Sequence, residues 1–414
     1  MPAERRVVIT GLGAVTPIGV GRDQLRAGLR AGASAVRSVT RFDAEPFRSR
    51  IAAEVRDFVP GDHIEQRKVR RLDRFAQFSV AATRLAVEDA HLSLARENRE
   101  RVGVMMGTAL GGVAHGEAQS RNFYLEGPRA VDPALALSVF AGAASCNIAI
   151  EFGVMGPNST NGMSCASGSI AIGEAYRAIR LGDADLMLAG GAEAPLAPLC
   201  FGAFAFIRAM STRNDDPAHA SRPFDVGRDG FVMAEGAAVL VLEERSRALA
   251  RGAPVYAELC GYGLTNDAHH MTAPRPDGSQ AARAMRLALG PVAPSAVGYV
   301  NAHGSSTPLN DPTESDSVKQ VFGPHAAQLP VSGTKGYYGH ALGASGAIEA
   351  AICALATVDR WLPPTVNLDQ ADPACDLNYI RGSGQAADPE YLLSNSFGFG
   401  GVNAALLFRR ADGR

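Results

Sequence analysis

The stretch 163-MSCASGSIAIGEAYRAI-179 places a cysteine among small residues at the point where a helical pattern begins. Gly156-Pro157-Asn158 breaks the preceding apolar run, so the segment predicts a turn, a short strand, Cys165 and a buried helix. A cysteine at a helix N-terminus lies near the positive end of the helix dipole, which favours the nucleophilic thiolate. Taken alone, Cys165 is also typical of a packed structural cysteine, so the rest of the chain has to decide between the two interpretations.

Length and composition describe an ordinary globular chain. The 414 residues exceed what one small core accommodates, so two domains or one large duplicated domain is expected. Hydrophobic residues make up 46% of the chain, charged residues 20%, and the formal net charge is −2. This charge argues against a broad nucleic-acid-binding surface.

Cysteine usage and the N-terminal sequence indicate a cytoplasmic protein. The six cysteines form no C-x-x-C pair and have no metal-finger spacing, so reduced thiols are expected. Gly11, Gly13 and Pro17 interrupt the first apolar stretch too early for a secretory signal. No apolar run long enough to cross a membrane is recognised, so no membrane span is expected.

Gly11-Leu12-Gly13 follows a strand predicted at 6–10 and partly matches the glycine-rich loop of dinucleotide-binding proteins. Thr16 replaces the third glycine, Pro17 follows it, and the acidic ribose partner of that motif is missing. The match is too partial to predict nucleotide binding.

Short apolar runs alternate with helical patterns along the whole chain. Strands are predicted near 102–106, 186–189, 239–243, 255–262, 297–300, 331–332, 392–396 and 402–409. An alanine-rich run at 133–152 predicts a buried helix, and 340–358 predicts a helix of small residues. The alternation predicts α/β layers with helices between sheets, and a boundary near 252–256 separates two similar halves.

Reactive side chains collect at four of the predicted strand ends, where groups that act on a substrate gather in α/β folds. They are Cys165, His303 in NAHGSSTP, Lys335 and His340 in SGTKGYYGH, and the FGFGG loop at 397–401. Lys335 is one of only three lysines among 40 basic residues, which marks it further. A zinc site is rejected, because Cys165 has no potential ligand close by in sequence.

A thiolate nucleophile implies acyl transfer through a thioester intermediate. Neutral imidazoles can donate Nε2–H to a developing oxyanion or enolate. No carboxylate stands beside Cys165 as a hydrolytic base, so two histidines in a dry pocket suit carbanion chemistry better than protease chemistry.

Four motifs carry a specific family resemblance. They are Cys165 with the Ala-Ser-Gly after it, NAHGSSTPLND, GTKGYYGHALGASGAIE and SNSFGFGGVNA. In this order and spacing, the chain resembles the β-ketoacyl-acyl-carrier-protein synthases of the ketoacyl synthase II class over essentially its whole length. The resemblance implies the thiolase fold, a dimer-forming five-layered αβαβα sandwich of duplicated halves, here residues 1–254 and 255–414.

By the same resemblance, Cys165 takes an acyl chain from the phosphopantetheine of an acyl carrier protein, and no other cofactor is bound. Malonyl-carrier protein then loses CO₂, and the carbanion attacks the acyl thioester in a Claisen condensation. His303 and His340 assist decarboxylation and stabilise the enolate oxygen, while Lys335 orients this group. The N–H groups of Cys165 and Phe399 form the oxyanion hole, and Phe399 also gates the acyl pocket.

Substrate-binding positions follow from the resemblance as well. Thr272, Ser305 and Thr307 are expected to contact the pantetheine arm, and Leu110 is expected to contact the substrate. Glu349 is expected to bond Lys335 or to lie near a bound cation, the alternative being an ordinary acid at the start of a helix.

A basic surface is the expected docking site for the acidic carrier protein, because a positive patch steers such a partner. Its residues are Arg67, Lys68, Arg70, Arg71 and Arg208. A solvated helix face is the alternative interpretation of the 67–71 stretch.

Departures from the family pattern concern the acyl substrate rather than the reaction. They are Met163-Ser164 before the nucleophile, Tyr337-Tyr338 before Gly339, Asn310 before Asp311, and the alanine-rich region 134–146. They predict a pocket reshaped for a specialised chain, such as a polyene or another polyketide.

Two competing functions fit the sequence less well. A non-catalytic chain-length-determining partner subunit would lack the nucleophile, whereas this chain keeps Cys165, both histidines and Lys335. A degradative thiolase would carry a second cysteine where the FGFGG loop stands. The sequence leaves open a homodimer or a heterodimer with a chain length factor, and fatty-acid or polyketide elongation.

Overall fold

The structure, a computed structural model, describes residues 5–411. Within this range the chain forms sixteen strands and thirteen α-helices. The strands are β1 Val7–Thr16, β2 Gly19–Val20, β3 Arg37–Ser38, β4 Ile51–Ala52, β5 Val102–Gly107, β6 Asn158–Asn161, β7 Leu186–Glu193, β8 Gly236–Glu244, β9 Ala257–Asn266, β10 Val297–Asn301, β11 Pro330–Ser332, β12 Trp361–Leu362, β13 Asn378–Tyr379, β14 Gln385–Ala386, β15 Tyr391–Gly398 and β16 Val402–Arg410. The helices are α1 Arg22–Ala31, α2 Gln66–Val69, α3 Arg74–Asp89, α4 Val113–Glu126, α5 Leu135–Ser138, α6 Ala143–Phe152, α7 Ser167–Leu181, α8 Pro198–Phe206, α9 Arg245–Ala250, α10 Ser279–Leu289, α11 Asn310–Phe322, α12 Lys335–Tyr338 and α13 Ser345–Asp359.

The two halves of the chain have the same strand order. The N-terminal strands lie in the order β6-β5-β7-β8-β1 and the C-terminal strands in the order β11-β10-β15-β16-β9. In each half the first three strands of this order are parallel and the next two pairings are antiparallel. β1 and β9 pair at Val7 and Leu259 and join the halves into one continuous sheet.

Helices α7 and α13 form the central layer between the halves of the sheet. α7 packs on β7 and β16, α13 packs on β8 and β15, and the two helices contact each other. A side chain at Gly168 would place its Cβ 2.9 Å from the backbone nitrogen of Ala347, so a larger residue there would separate the helices. With α3 outside β1 and α10 outside β9, the predicted five-layered sandwich of duplicated halves is confirmed.

The first strand is longer than predicted. β1 continues to Thr16, so Gly11-Leu12-Gly13 lies inside a strand whose ten residues are all buried, and not in a loop. Its ladder with β8 shifts by one residue between Ile9 and Gly11.

One helix meets the length and composition of a membrane span, so the expectation that no such apolar run exists is wrong. Within residues 5–411 this is Leu342–Asp359, with a mean hydropathy of 1.4. However, 89% of the segment is buried inside the protein, because α13 lies in the central layer between the sheet halves. Its apolar composition is therefore that of a core helix.

Residues 133–152 differ from the prediction of one buried helix. They form two short helices, α5 and α6, and Leu137 and Ile150 are 72% and 79% exposed. Part of the apolar pattern, including these two side chains, therefore faces outward instead of filling the core.

Candidate active site

Four predicted catalytic residues line one cavity of about 300 Å³. Cys165 lies in the turn after β6, His303 follows β10, His340 follows α12, and Phe399 follows β15. The corresponding ends of the strands meet here because both halves of the fold contribute their loops to the same edge of the central layer. Lys335 is fully buried behind this cavity wall.

Cys165 lies in a short 3₁₀ turn, Ser164–Ala166, in contact with apolar side chains that include Phe231 and Leu342. Burial raises the pKa of the Cys165 thiol, opposed by Ser164, by the Lys335 charge and by the Phe399 backbone amide. Helix α7 begins at Ser167, directly after this turn, as predicted. Removal of the sulfur from water therefore acts against the helix dipole, which favours the thiolate.

The backbone before the nucleophile is strained. Ser164 has a φ of +52°, in the left-handed region that side chains other than glycine rarely adopt. Ser167 Oγ holds this turn by donating to the Ser164 carbonyl at 2.7 Å, and Asn161 Nδ2 donates to the Ser167 carbonyl at 3.0 Å. Such strain persists at functional sites when the surroundings fix it.

Lys335 fixes the orientation of His303. Its Nζ donates to the His303 carbonyl at 2.5 Å, lies 3.3 Å from His303 Nδ1 and contacts Glu349 Oε1. Because an ammonium group has no acceptor, Nδ1 must accept, which leaves the His303 proton on Nε2. Burial, with the charges of Lys335 and His340, holds the His303 pKa well below its ordinary value, so the ring is neutral.

His340 forms the second imidazole of the cavity. Its ring centroid lies 5.3 Å from that of His303, with the planes at 80°, and its Nδ1 lies 2.9 Å from Ser345 Oγ. Burial and the Lys335 charge hold the His340 pKa well below its ordinary value. Two neutral imidazoles therefore face one cavity, each with Nδ1 engaged away from it.

Glu349 is buried on α13 and meets the first of its two expected roles, the bond to Lys335. Burial raises its pKa to about 7, against the opposing charge of Lys335. Its other oxygen, Oε2, makes no hydrogen bond of good geometry among the described residues, although the Ser396 hydroxyl acts to lower the Glu349 pKa. No cluster of three or more His, Cys, Asp or Glu side chains that could hold a metal occurs within residues 5–411.

The predicted substrate contacts divide between the cavity and its surroundings. Ser305, Thr307 and Arg208 line the cavity, and exposed Thr272 lies at its opening. Leu110 does not line it but packs against the apolar cluster that contains Cys165.

The other basic residues lie on and beside α2, away from the cavity lining. Arg67 pairs with Glu65 at 2.6 Å, and Lys68 pairs with Glu151 of α6 at 2.6 Å. The structure therefore brings Arg208 to the cavity but not the stretch that includes exposed Arg70 and Arg71.

Only some of the residues that depart from the family pattern line the cavity. Tyr337 and Tyr338 are fully buried in the central core and do not line the cavity, so they do not reshape it directly. Asn310 does line the cavity, and Met163 is 51% exposed.

Sequence reasoning missed two buried carboxylates. Glu314 accepts hydrogen bonds from the backbone nitrogens of His303 at 2.8 Å and Gly304 at 2.9 Å and so holds the histidine loop. Glu193, at the end of β7, accepts from backbone groups on both sides of Cys165. For Glu193 the available signal was an acid at the end of an apolar strand, and for Glu314 an acid in the helix after NAHGSSTP. Neither signal reveals the distant partners.

Comparisons with known proteins indicate the same family along nearly the whole chain. The family model of the β-ketoacyl synthase N-terminal domain matches residues 4–248, and that of the C-terminal domain matches residues 256–369. A 3-oxoacyl-[acyl-carrier-protein] synthase 2 of Synechocystis is 46% identical over 98% of this chain and 98% of its own.

Two solved structures are similar at comparable coverage. The ishigamide ketosynthase/chain length factor superposes with a TM-score of 0.93 at 37% identity, covering 99% of this chain and 100% of that one. A type II polyketide ketosynthase, AntDE, in complex with its acyl carrier protein superposes with a TM-score of 0.90 at 35% identity, again covering 99% and 100%. The chain therefore belongs to the β-ketoacyl synthase family, acyltransferases that condense acyl thioesters in fatty-acid or polyketide elongation.

Proposed function

We propose that this protein carries out decarboxylative Claisen condensation on Cys165 and releases a 3-oxoacyl-acyl carrier protein. The observation that carries the proposal is the cavity shared by a buried thiol, two neutral imidazoles and the Phe399 loop. A non-catalytic chain-length partner is disfavoured, because every one of these groups is present and oriented.

In the first half-reaction, the Cys165 sulfur attacks the acyl carbonyl of acyl-carrier protein. The new sulfur–carbon bond replaces the bond to the pantetheine sulfur, which leaves with the proton that Cys165 gives up. The oxyanion formed on the way is stabilised by the N–H groups of Cys165 and Phe399.

In the second half-reaction, malonyl-carrier protein loses CO₂, and the electrons of the broken carbon–carbon bond pass to an enolate. The Nε2–H groups of His303 and His340 stabilise the enolate oxygen. The enolate carbon then attacks the acyl group and displaces the Cys165 sulfur, which regains a proton. Lys335 and Glu349 act behind this site by holding His303 in its Nε2–H form.

We assign the acyl carrier protein as the partner at the cavity opening. Thr272, Ser305 and Thr307 lie along the path that a pantetheine arm takes to Cys165, and Arg208 lies beside it. The related AntDE ketosynthase binds an acyl carrier protein, which supports this assignment. The substrates arrive covalently attached, and no free cofactor is required by the two half-reactions.

A dimer, either with a second copy or with a chain length factor, is supported by one exposed apolar surface. β6 (Asn158–Asn161) is the edge strand of the sheet in the described residues, with β5 as its neighbour. Exposed apolar residues accompany it: Phe123, Tyr124, Leu125, Leu137, Val139, Phe140, Ile150, Met155 and Met163. An unpaired edge with an apolar surround is typical of a protein interface.

We also propose a division at residues 254/255 and a cytoplasmic location. The division falls between α9 and β9, where the second copy of the strand order begins. The location is supported by the six cysteines, all of which are free.

Polyketide elongation, rather than fatty-acid elongation, is the second candidate pathway. The similarity to the ishigamide ketosynthase/chain length factor favours it. The identity to the Synechocystis 3-oxoacyl-[acyl-carrier-protein] synthase 2 favours the fatty-acid pathway.

Cys165→Ala is expected to abolish covalent acylation and condensation, because it removes the nucleophile without removing the apolar contacts of the turn. Cys165→Gln is expected to block acylation while malonyl decarboxylation continues. Intact-protein mass spectrometry and CO₂ release measure the two half-reactions, and Cys260→Ala is the control that should acylate normally. Condensation by Cys165→Ala would contradict the assignment.

The depressed pKa of His340 predicts acid-sensitive stability. Below about pH 6.5 the unfolded chain binds a proton that the folded chain does not, so the unfolding free energy falls as pH falls. Between pH 7.5 and 5.5 this loss is about 1 kcal/mol, and His340→Gln should remove it. Urea unfolding of the wild-type protein and of His340→Gln at the two pH values measures this loss of unfolding free energy. Equal losses in the two proteins would contradict the depressed pKa of His340.

Arg208→Glu is expected to raise KM for acyl-carrier protein about tenfold at low salt while kcat changes little, because steering acts on association. Steady-state kinetics at low and high salt measure the effect, which should shrink at high salt. Arg381→Glu, at an exposed position outside the cavity, is the matched control. Equal effects of the two substitutions would show that Arg208 has no docking role.

A panel of acyl carrier proteins loaded with saturated and polyene chains distinguishes the two pathways. If the polyketide candidate is correct, Cys165 acylation by unsaturated chains should exceed that by saturated chains of equal length. Mass spectrometry of the acyl-protein measures both rates. A clear preference for long saturated chains excludes the polyketide candidate.

A further inference from the structure

A buried carboxylate joins two loops on either side of the nucleophile. Glu193 is fully buried at the end of β7. Its Oε1 accepts from Thr108 Oγ1 at 2.9 Å and from Leu110 N at 3.1 Å. Its Oε2 accepts from Ala109 N at 2.5 Å and from Gly343 N at 3.0 Å. Thr108, Ala109 and Leu110 follow β5, whereas Gly343 lies in the 3₁₀ turn Leu342–Ala344 between His340 and α13.

All four partners are hydrogen-bond donors, and no basic side chain is among them. A carboxylate that receives only backbone and hydroxyl donors acts as a charge-assisted clamp rather than as half of an ion pair. A Cβ at Gly343 would lie 2.4 Å from Ala109 N and 2.7 Å from Glu193 Oε2, so the absent side chain lets the two loops meet. Burial raises the Glu193 pKa to about 7, opposed by these four hydrogen bonds.

The clamped loops carry the apolar surroundings of the Cys165 sulfur. Leu342 belongs to the cluster that contains Cys165 and also lines the cavity. Ala109 and Leu110 pack against the same cluster from the other loop. An acyl chain attached to Cys165 and directed into the interior meets this apolar cluster, to which both loops contribute a leucine, Leu342 from one and Leu110 from the other.

We propose that Glu193 is a positioning residue that fixes Leu110 and Leu342 relative to each other and thereby sets how far an acyl chain on Cys165 enters the interior. This proposal rests on the proposed function, since it assumes that Cys165 carries the chain. Glu193 acts through the two loops and contacts neither substrate nor the reacting atoms. Leu110 and Leu342 are held in place before the substrate arrives, so the binding of a long acyl chain does not have to order these side chains.

Glu193→Gln tests the proposal because, in either orientation of the new side-chain amide, its NH₂ group faces a backbone N–H group that needs an acceptor. With Nε2 in place of Oε1, Leu110 N–H loses its acceptor, and with Nε2 in place of Oε2, Ala109 and Gly343 lose theirs. We expect acylation of Cys165 by dodecanoyl-carrier protein to fall about tenfold relative to acylation by acetyl-carrier protein, whose short chain extends least beyond the sulfur. Glu193→Asp, which keeps the charge, should recover part of the ratio.

Glu54→Gln is the matched control, because Glu54 is also buried and accepts from Thr40 Oγ1, Thr40 N and Arg41 N. It should leave the dodecanoyl-to-acetyl ratio unchanged. Malonyl decarboxylation is measured in parallel in Cys165→Gln and in the double variant Cys165→Gln/Glu193→Gln. The two rates should agree within about threefold, because the histidines that assist decarboxylation are intact in both proteins.

An unchanged dodecanoyl-to-acetyl ratio in Glu193→Gln would overturn the proposed positioning role of Glu193. An equal loss of both acylations and of decarboxylation would also overturn it, because that result would show a general structural role. Wild-type acylation is measured alongside, and its absence would instead overturn the proposed function. If Glu193→Gln does not fold, the comparison is made with Glu193→Asp, for which an unchanged ratio is the contradicting result.

Discussion

A single buried ammonium group sets the state of the active centre. Lys335 is fully excluded from water, and its three N–H donors are directed at Glu349, the His303 carbonyl and His303 Nδ1. A charge in such surroundings is tolerated only when it is paired and hydrogen-bonded, so these partners cannot move independently. The same charge lowers the pKa of both histidines and opposes the increase at Cys165. Lys335 therefore fixes the tautomer of His303 and adds to burial, the larger cause, in lowering the pKa of both histidines.

The duplicated fold explains how groups so distant in sequence meet. The central helices α7 and α13 each begin directly after a 3₁₀ turn, and both helix starts carry Ala-Ser-Gly, at Ala166–Gly168 and Ala344–Gly346. The residue that opens each turn has a positive φ, +52° at Ser164 and +42° at Leu342. In one copy the middle residue of the turn is the nucleophile Cys165, and in the other it is Gly343, whose N–H meets Glu193. The two halves thus contain equivalent turns, and one of them carries the reactive side chain.

The sequence predicted the layers, most strand positions and the principal active-site residues, because strand periodicity and glycine-rich strand ends are local signals. It did not predict the raised pKa of Cys165, which depends on apolar neighbours such as Phe231 that are distant in sequence. It also missed Glu193 and Glu314, whose partners are backbone N–H groups that no residue type reveals. Composition predicts a core position for 133–152, because it does not distinguish a buried helix from one with an exposed apolar side.

The burial of the Cys165 sulfur has a consequence for the protein between turnovers. Oxidants and stray electrophiles react with a thiolate far faster than with a thiol. Burial leaves Cys165 only 7% exposed and raises the pKa of its thiol, so it acts against both reactions. Its reactivity appears when a thioester occupies the cavity and the proton can leave with the departing sulfur. The environment that makes Cys165 a poor general nucleophile thus protects it for one class of partner.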